Sequence, residues 1–135
     1  MAAYQWNGYG LEGPSTLPVI QTHGTADYTI PYLGGSGPFG LNFSGAFTAD
    51  SAWAKVNNGC LSTNLTSDLT VMGTPISKYS WCPVICGGGY CISKRKTVVH
   101  LKLVGIGHTV YDLISPEVKE YMNNQIFYFF KQHPK

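Results

Sequence analysis

A chain of 135 residues with 44% hydrophobic residues is the size of one ordinary domain and can bury a core of its own. Charged residues are only 12%, about half the usual quarter of a soluble protein, and Lys+Arg 9 against Asp+Glu 7 leaves a formal charge of +2. That balance excludes a dedicated nucleic-acid or membrane-surface binder, the 13% aromatic content argues against disorder, and no apolar run reaches the roughly 18 residues of a membrane span.

Residues 1–16 are aromatic and glycine-rich without periodicity, so an irregular N-terminal segment is expected, with a single folded unit over 17–135. The opening MAAYQWNGYG has neither a basic start nor an apolar core and is not a signal peptide. Leu17 to His23 (LPVIQTH) is a short apolar run ending at Gly24, the pattern of a buried strand. Residues 24–44 carry five glycines and two prolines and are expected to form one long loop, a length that usually serves function. A helix is expected from about Thr48, capped by Thr48 or Ser44, with Ala49, Ala52, Trp53 and Val56 on its apolar stripe and a stop at Asn57-Asn58-Gly59. Pro75 to Trp81 and Thr97 to Val104 read as an antiparallel pair of strands flanking a cysteine-glycine loop. In the second, Val99, Leu101 and Leu103 share one face, while His100 and Lys102 share the other and are expected to point outward. Ser115-Pro116 begins a last helix, whose face runs through Val118, Tyr121, Met122, Gln125, Ile126 and Phe129 to Gln132. The order strand–helix–strand–strand–helix predicts an α/β fold, a sheet with helices packed on it.

Four cysteines, Cys60, Cys82, Cys86 and Cys91, lie in and upstream of the Gly87-Gly88-Gly89 run. Their spacing matches no zinc pattern and no histidine lies among them, so no metal site is expected. Two disulfides, Cys86–Cys91 and Cys60–Cys82, are the favoured reading among three connectivities, with four reduced buried thiols as the alternative. Together with the sequons at Asn42 and Asn64, this points to a secreted or extracytoplasmic protein whose targeting segment is absent from this sequence.

Two groups fit for acid–base chemistry recur in one architectural position, just past the end of a strand. Asp27 follows LPVIQT in His23-Gly24-Thr25-Ala26-Asp27, and His108 follows TVVHLKLV in Gly107-His108-Thr109. Singly, each is better explained as a turn aspartate or a solvated loop histidine, since such residues fill loops anyway. Jointly, on neighbouring loops beyond the ends of strands, they are what a hydrolase needs to orient a general base. His23 is expected to pack beside the acid loop, and His133 to lie in the terminal tail. Tyr28, Tyr32 and Phe39 on the long loop are candidates for stacking on a substrate, or simple loop anchors. The Phe127–Phe130 cluster is expected as core, with part of it free to serve an oligomer interface, and Lys94-Arg95-Lys96 as a solvated run.

These stretches, P-V-I-Q-T-H-G-T-A-D-Y-T-I-P-Y (Pro18–Tyr32), W-A-x-x-N-x-G-C (Trp53–Cys60) and G-x-G-H-T (Gly105–Thr109), resemble the C-terminal part of secreted α/β-hydrolase esterases of the polyhydroxybutyrate depolymerase and feruloyl esterase type. The resemblance runs from about Pro18 to Pro134. It implies a partial α/β-hydrolase-like sheet, Asp27 as the triad acid, His108 as the base, and no cofactor. After H-T the family continues with Trp-Pro, where this chain has Val110-Tyr111.

The family's nucleophile, the serine of a G-x-S-x-G elbow, has no counterpart here: Gly34-Gly35-Ser36-Gly37-Pro38 lacks the last glycine and Asn42-Phe43-Ser44-Gly45-Ala46 lacks the first and last. Three readings follow. The chain is the acid–histidine lobe of a serine esterase, inactive alone and acting on an ester once a nucleophile-bearing half completes it. Or it is a non-catalytic binding or assembly module that pairs with a partner or a second copy through an exposed sheet edge. Or it is an unrelated small disulfide-bonded binding domain.

Overall fold

The computed structural model describes residues 17–58, 63–81, 86–87, 90–91, 97–108 and 114–133. The expected N-terminal segment, Cys60, Cys82, Lys94-Arg95-Lys96 and Val110-Tyr111 lie outside the described residues.

The first strand, β1 (Val19–Gly24), coincides with the apolar run. Two very short strands follow, β2 (Gly34–Ser36) and β3 (Asn42–Ser44), paired antiparallel around a single 3-10 turn at Pro38–Gly40. The 24–44 segment is therefore not one structureless loop. Helix α1 (Ala46–Asn58) begins two residues before the expected start. A hairpin comes next, β4 (Thr63–Val71) and β5 (Thr74–Trp81), and then a two-residue pair, β6 (Cys86–Gly87) and β7 (Tyr90–Cys91). Strand β8 (Val98–Leu103) and helix α2 (Pro116–Gln132) are the last described elements.

Four strands form one mixed sheet in the order β1-β8-β5-β4, giving an α/β architecture. β1 runs parallel to β8, whereas β5 is antiparallel to both β8 and β4, so the expected antiparallel pair of β5 and β8 is present. β4 was not anticipated. It alternates Thr, Ser, Asn and Asp with few apolar residues because it is an edge strand with most side chains in solvent. Its turn, Met72-Gly73, has both residues at positive φ (46° and 79°), the two-residue turn whose twist suits a hairpin.

The helices cover opposite faces. α2 starts where Ser115 caps it, the hydroxyl accepting from the Val118 amide at 3.3 Å, with Pro116 at the first helical position. Its buried Val118 and Met122 join Ile76, Leu103 and Ile114 in one core cluster. The expected face holds, but the aromatic cluster divides. Only Phe129 is buried; Phe127, Tyr128 and Phe130 face solvent, because four consecutive residues span more than one side of a helix.

On the other face α1 buries Ala54 against Trp81 and Val98. Its inward stripe is Ala46, Ala49, Asp50, Ala54 and Asn57, rotated from the expected one, so that Val56 is exposed and Asp50 wholly buried. The cause is His100. It does lie on the Val98–Lys102 face of β8, but that face is roofed by α1 and not by water, and His100 is completely buried. Its ring packs against Phe47 and Tyr79, and Asp50 is its polar partner.

Candidate active site

Parallel pairing brings the ends of β1 and β8 together, so the segments after Gly24 and Leu103 leave the same sheet margin side by side. They are then stitched. The Thr25 amide donates to Leu103 O at 2.9 Å, the Ala26 amide to Ile106 O at 2.9 Å, and the Gly105 amide to Thr25 Oγ1 at 2.9 Å. Gly24 is required by this approach: a Cβ there would stand 2.0 Å from Ile106 O, inside any contact distance. Gly105 turns the chain out of β8 at φ 78°, a left-handed conformation that glycine adopts freely.

On this frame Asp27 and His108 meet, with Asp27 Oδ2 3.0 Å from His108 Nδ1. The other carboxylate oxygen, Oδ1, accepts from the amides of Thr29 (2.9 Å) and Ile30 (2.8 Å), which fixes the plane of the group. Burial by itself pushes the Asp27 carboxyl upward. The Ile30 amide, the hydrogen bond and charge of His108 and the charge of His23 outweigh it and hold the carboxyl below its usual value. Asp27 is thus ionised at neutral pH and accepts only, so His108 Nδ1 carries the shared proton and the neutral ring leaves Nε2 bare. The Asp27 side chain is 4% exposed and that of His108 39%. The acid is sheltered, and the imidazole is open to a reacting group.

A second imidazole stands at the same carboxylate. His23 Nε2 lies 3.3 Å from Asp27 Oδ2 and 2.9 Å from the Ile30 carbonyl oxygen. A carbonyl only accepts, so Nε2 carries the proton and donates to Ile30 O, with the Asp27 carboxylate within ion-pair distance. The buried Nδ1 has no hydrogen-bond partner among the described residues. The sequence places His23 beside the acid loop, and it goes further by touching the acid itself.

The three stacking candidates separate. Tyr28 and Phe39 are 89% and 97% exposed, and Phe39 holds its ring outward on a left-handed backbone (φ 61°, ψ 23°). Tyr32 is placed otherwise: its ring is buried and its hydroxyl lies 3.0 Å from His100 Nε2, so it anchors the loop and presents no face to solvent. His100 Nδ1 in turn lies 2.7 Å from Asp50 Oδ2, with both side chains fully buried. Burial pushes the Asp50 carboxyl upward against the opposing hydrogen bond and charge of His100, and burial, with Tyr79 and Asp50 nearby, pushes the Tyr32 hydroxyl strongly upward. This second Asp–His pair was missed in sequence. Its one signal is a polar residue, Asp50, directly beside the apolar positions of α1.

Among the described residues no group of three or more His, Cys, Asp or Glu is arranged to hold a metal ion, and no helix is long and apolar enough to cross a membrane. Of the cysteines, the backbone of β6 and β7 sets Cys86 directly opposite Cys91. No family model matches the chain, and no curated protein or solved structure matches it.

Proposed function

We propose that this chain is the acid–histidine lobe of a serine esterase for carboxylic esters of the polyester or feruloyl and acyl-polysaccharide type, completed by a nucleophile from another segment or chain. The observation that carries it is the 3.0 Å contact of a sheltered Asp27 with a half-open His108 at the joined ends of two parallel strands. In that role Asp27 holds the Nδ1 proton and the bare Nε2 removes a proton from a serine hydroxyl as its oxygen attacks the ester carbonyl. The imidazolium then returns that proton to the departing alcohol, leaving an acyl-enzyme that water hydrolyses by the same base. Exposed Tyr28 and Phe39, in the segment after Asp27, offer rings on which an aromatic or sugar-like part of the substrate would stack. β1 sits at a sheet edge with β8 as its one ladder neighbour among the described residues, and the rest of a hydrolase sheet, or a second copy, would add there. The facing backbone of Cys86 and Cys91 supports a disulfide and an extracytoplasmic location. Alkylation of all four thiols without reductant would overturn both.

Two measurements test the reading. Long-range nitrogen–proton NMR spectra should find the proton of neutral His108 on Nδ1 in the wild-type chain and redistributed in Asp27→Asn; a wild-type proton on Nε2 would end the proposal. Hydrolysis of p-nitrophenyl acetate and a feruloyl ester should be absent from the chain alone. Turnover lost in both Asp27→Ala and His108→Ala would place the nucleophile within these 135 residues and refute the split-lobe reading.

A further inference from the structure

We infer that Tyr32 and His100, neither of which contacts His108, are positioning residues that hold the Asp27 carboxylate in register with it. The inference rests on the acid–histidine reading and adds to it a buried support running from α1 to the acid loop. The support begins at Asp50 in α1, which holds His100 Nδ1 at 2.7 Å. A carboxylate accepts, so Nδ1 carries the proton and Nε2 is left to accept from the Tyr32 hydroxyl at 3.0 Å. The Tyr32 ring stands edge-on to His23, centroids 5.5 Å apart at 82°, and His23 Nε2 reaches both the Ile30 carbonyl and Asp27. Tyr32 is also tied through its backbone, its carbonyl accepting the Ala46 amide at 2.9 Å where α1 begins.

The acid loop is therefore clamped at two ends. Thr25 and Ala26 fix its start to the segment after β8, and Tyr32 fixes its finish to α1 and β8. Asp27, Thr29 and Ile30, the carboxylate and its two amide donors, all lie between the clamps. Each of Asp50, His100 and Tyr32 is buried, so a break costs an unsatisfied group, which keeps the support in one arrangement. A tyrosine kept only for core volume would not need its hydroxyl seated on a histidine that is itself seated on an aspartate.

The test is the titration of the Asp27 carboxyl carbon by NMR, with the His108 tautomer recorded in the same samples. Tyr32→Phe keeps the ring and removes the hydroxyl. It should raise the Asp27 titration toward the ordinary carboxylate value, by about half a pH unit or a threefold tighter proton affinity. Trp81→Phe is the control. It disturbs the same α1-facing core and the Trp81–Ser51 hydrogen bond (3.2 Å), and should lower stability without moving Asp27. Should Tyr32→Phe fold poorly, His100→Gln, whose amide oxygen still accepts from Tyr32, should retain more of the wild-type titration than His100→Leu. Loss of stability with an unmoved Asp27 titration in Tyr32→Phe, or equal behaviour of the two His100 variants, would reduce the support to packing and overturn the inference. A wild-type His108 protonated on Nε2 would instead overturn the reading on which it rests.

Discussion

Truncating the two halves of the Asp50–His100 pair should produce strongly non-additive losses of stability. Both side chains are shut off from solvent and meet at 2.7 Å, and Asp50 Oδ1 has no hydrogen-bond partner among the described residues. Replacing His100 with Leu leaves the carboxylate alone in the interior and the Tyr32 hydroxyl without its acceptor, at about 3–5 kcal/mol. Asp50→Leu leaves one neutral imidazole N–H unpaired, at about 1–3 kcal/mol. The double variant has no stranded charge, so its loss should be no larger than that of His100→Leu alone. The coupling is then about 2 kcal/mol, inside the range measured for residues in contact. Against a total stability of about 5–15 kcal/mol, the His100→Leu loss is about a fifth or more, large enough to move a urea midpoint well clear of error. Urea unfolding followed by tryptophan fluorescence reads it. The His100→Leu deficit should also shrink in acid, since a stranded carboxyl that takes a proton is no longer a buried charge. Single losses that sum to the double within about 0.5 kcal/mol, or a deficit indifferent to pH, would refute the argument that these two groups are paired in the core.

The two aspartates also pull the pH profile in opposite directions. The carboxyl of Asp27 lies below its unfolded value near about 3.9, so its contribution is complete above that pH and is lost as pH falls through the folded value. Asp50 lies above, so its contribution is complete below about 3.9 and is lost as pH rises toward its folded value. Urea midpoints against pH should show Asp27→Asn flattening the acid limb and Asp50→Asn the limb above it; unchanged profiles count against the assignments. Gly24→Ala, whose Cβ would sit 2.0 Å from Ile106 O, should cost about 1–3 kcal/mol and abolish the Nδ1-protonated His108 signal; a native spectrum would contradict the close approach. Met72→Asn, at an exposed hairpin position with φ 46°, should raise the thermal midpoint, by about 1 kcal/mol of stability, because asparagine tolerates the left-handed region.

What was legible in the sequence follows what each element buries. β8 carries an apolar run because it lies inside the sheet, β1 carries one at the sheet edge because α1 packs on it, and α2 announces itself with Ser115-Pro116 and a clean apolar face. The loops bearing Asp27 and His108 are legible for the same physical reason that makes them useful: strands must end in glycines where two backbones approach, and polar groups at that margin stand out. β4 left no such mark. Its outer face meets water and its turn uses Met72, a residue with no turn signature. The cluster Phe127–Phe130 misleads in the opposite sense, since composition shows four large rings without showing that a helix sends three of them outward.

Among the described residues two aspartate–histidine pairs are made through histidine Nδ1 with nearly equal geometry, 2.7 Å and 3.0 Å. Distance does not separate them, nor does residue type. Surroundings do. His100 Nε2 is occupied by the Tyr32 hydroxyl and sealed beneath α1, so that imidazole has no free nitrogen to offer and its carboxylate partner is pushed toward the protonated form. The side chain of His108 is partly open to solvent, and its carboxylate partner is held ionised, against its burial, by the Ile30 amide, His108 and His23. On the proposed reading the same pair of side chains is a brace in one place and a base in the other, and the difference is set by what lies on the far nitrogen. That is also why the brace could not be read from sequence: Asp50 and His100 sit on a helix stripe and a strand alternation, whose periods report which face a residue takes but not whether that face is roofed. If Asp27 and His108 act as proposed, a carboxylate that must stay charged, next to a ring that must stay open, requires a loop that does not wander, and a sealed copy of the same chemistry underneath can hold that loop still.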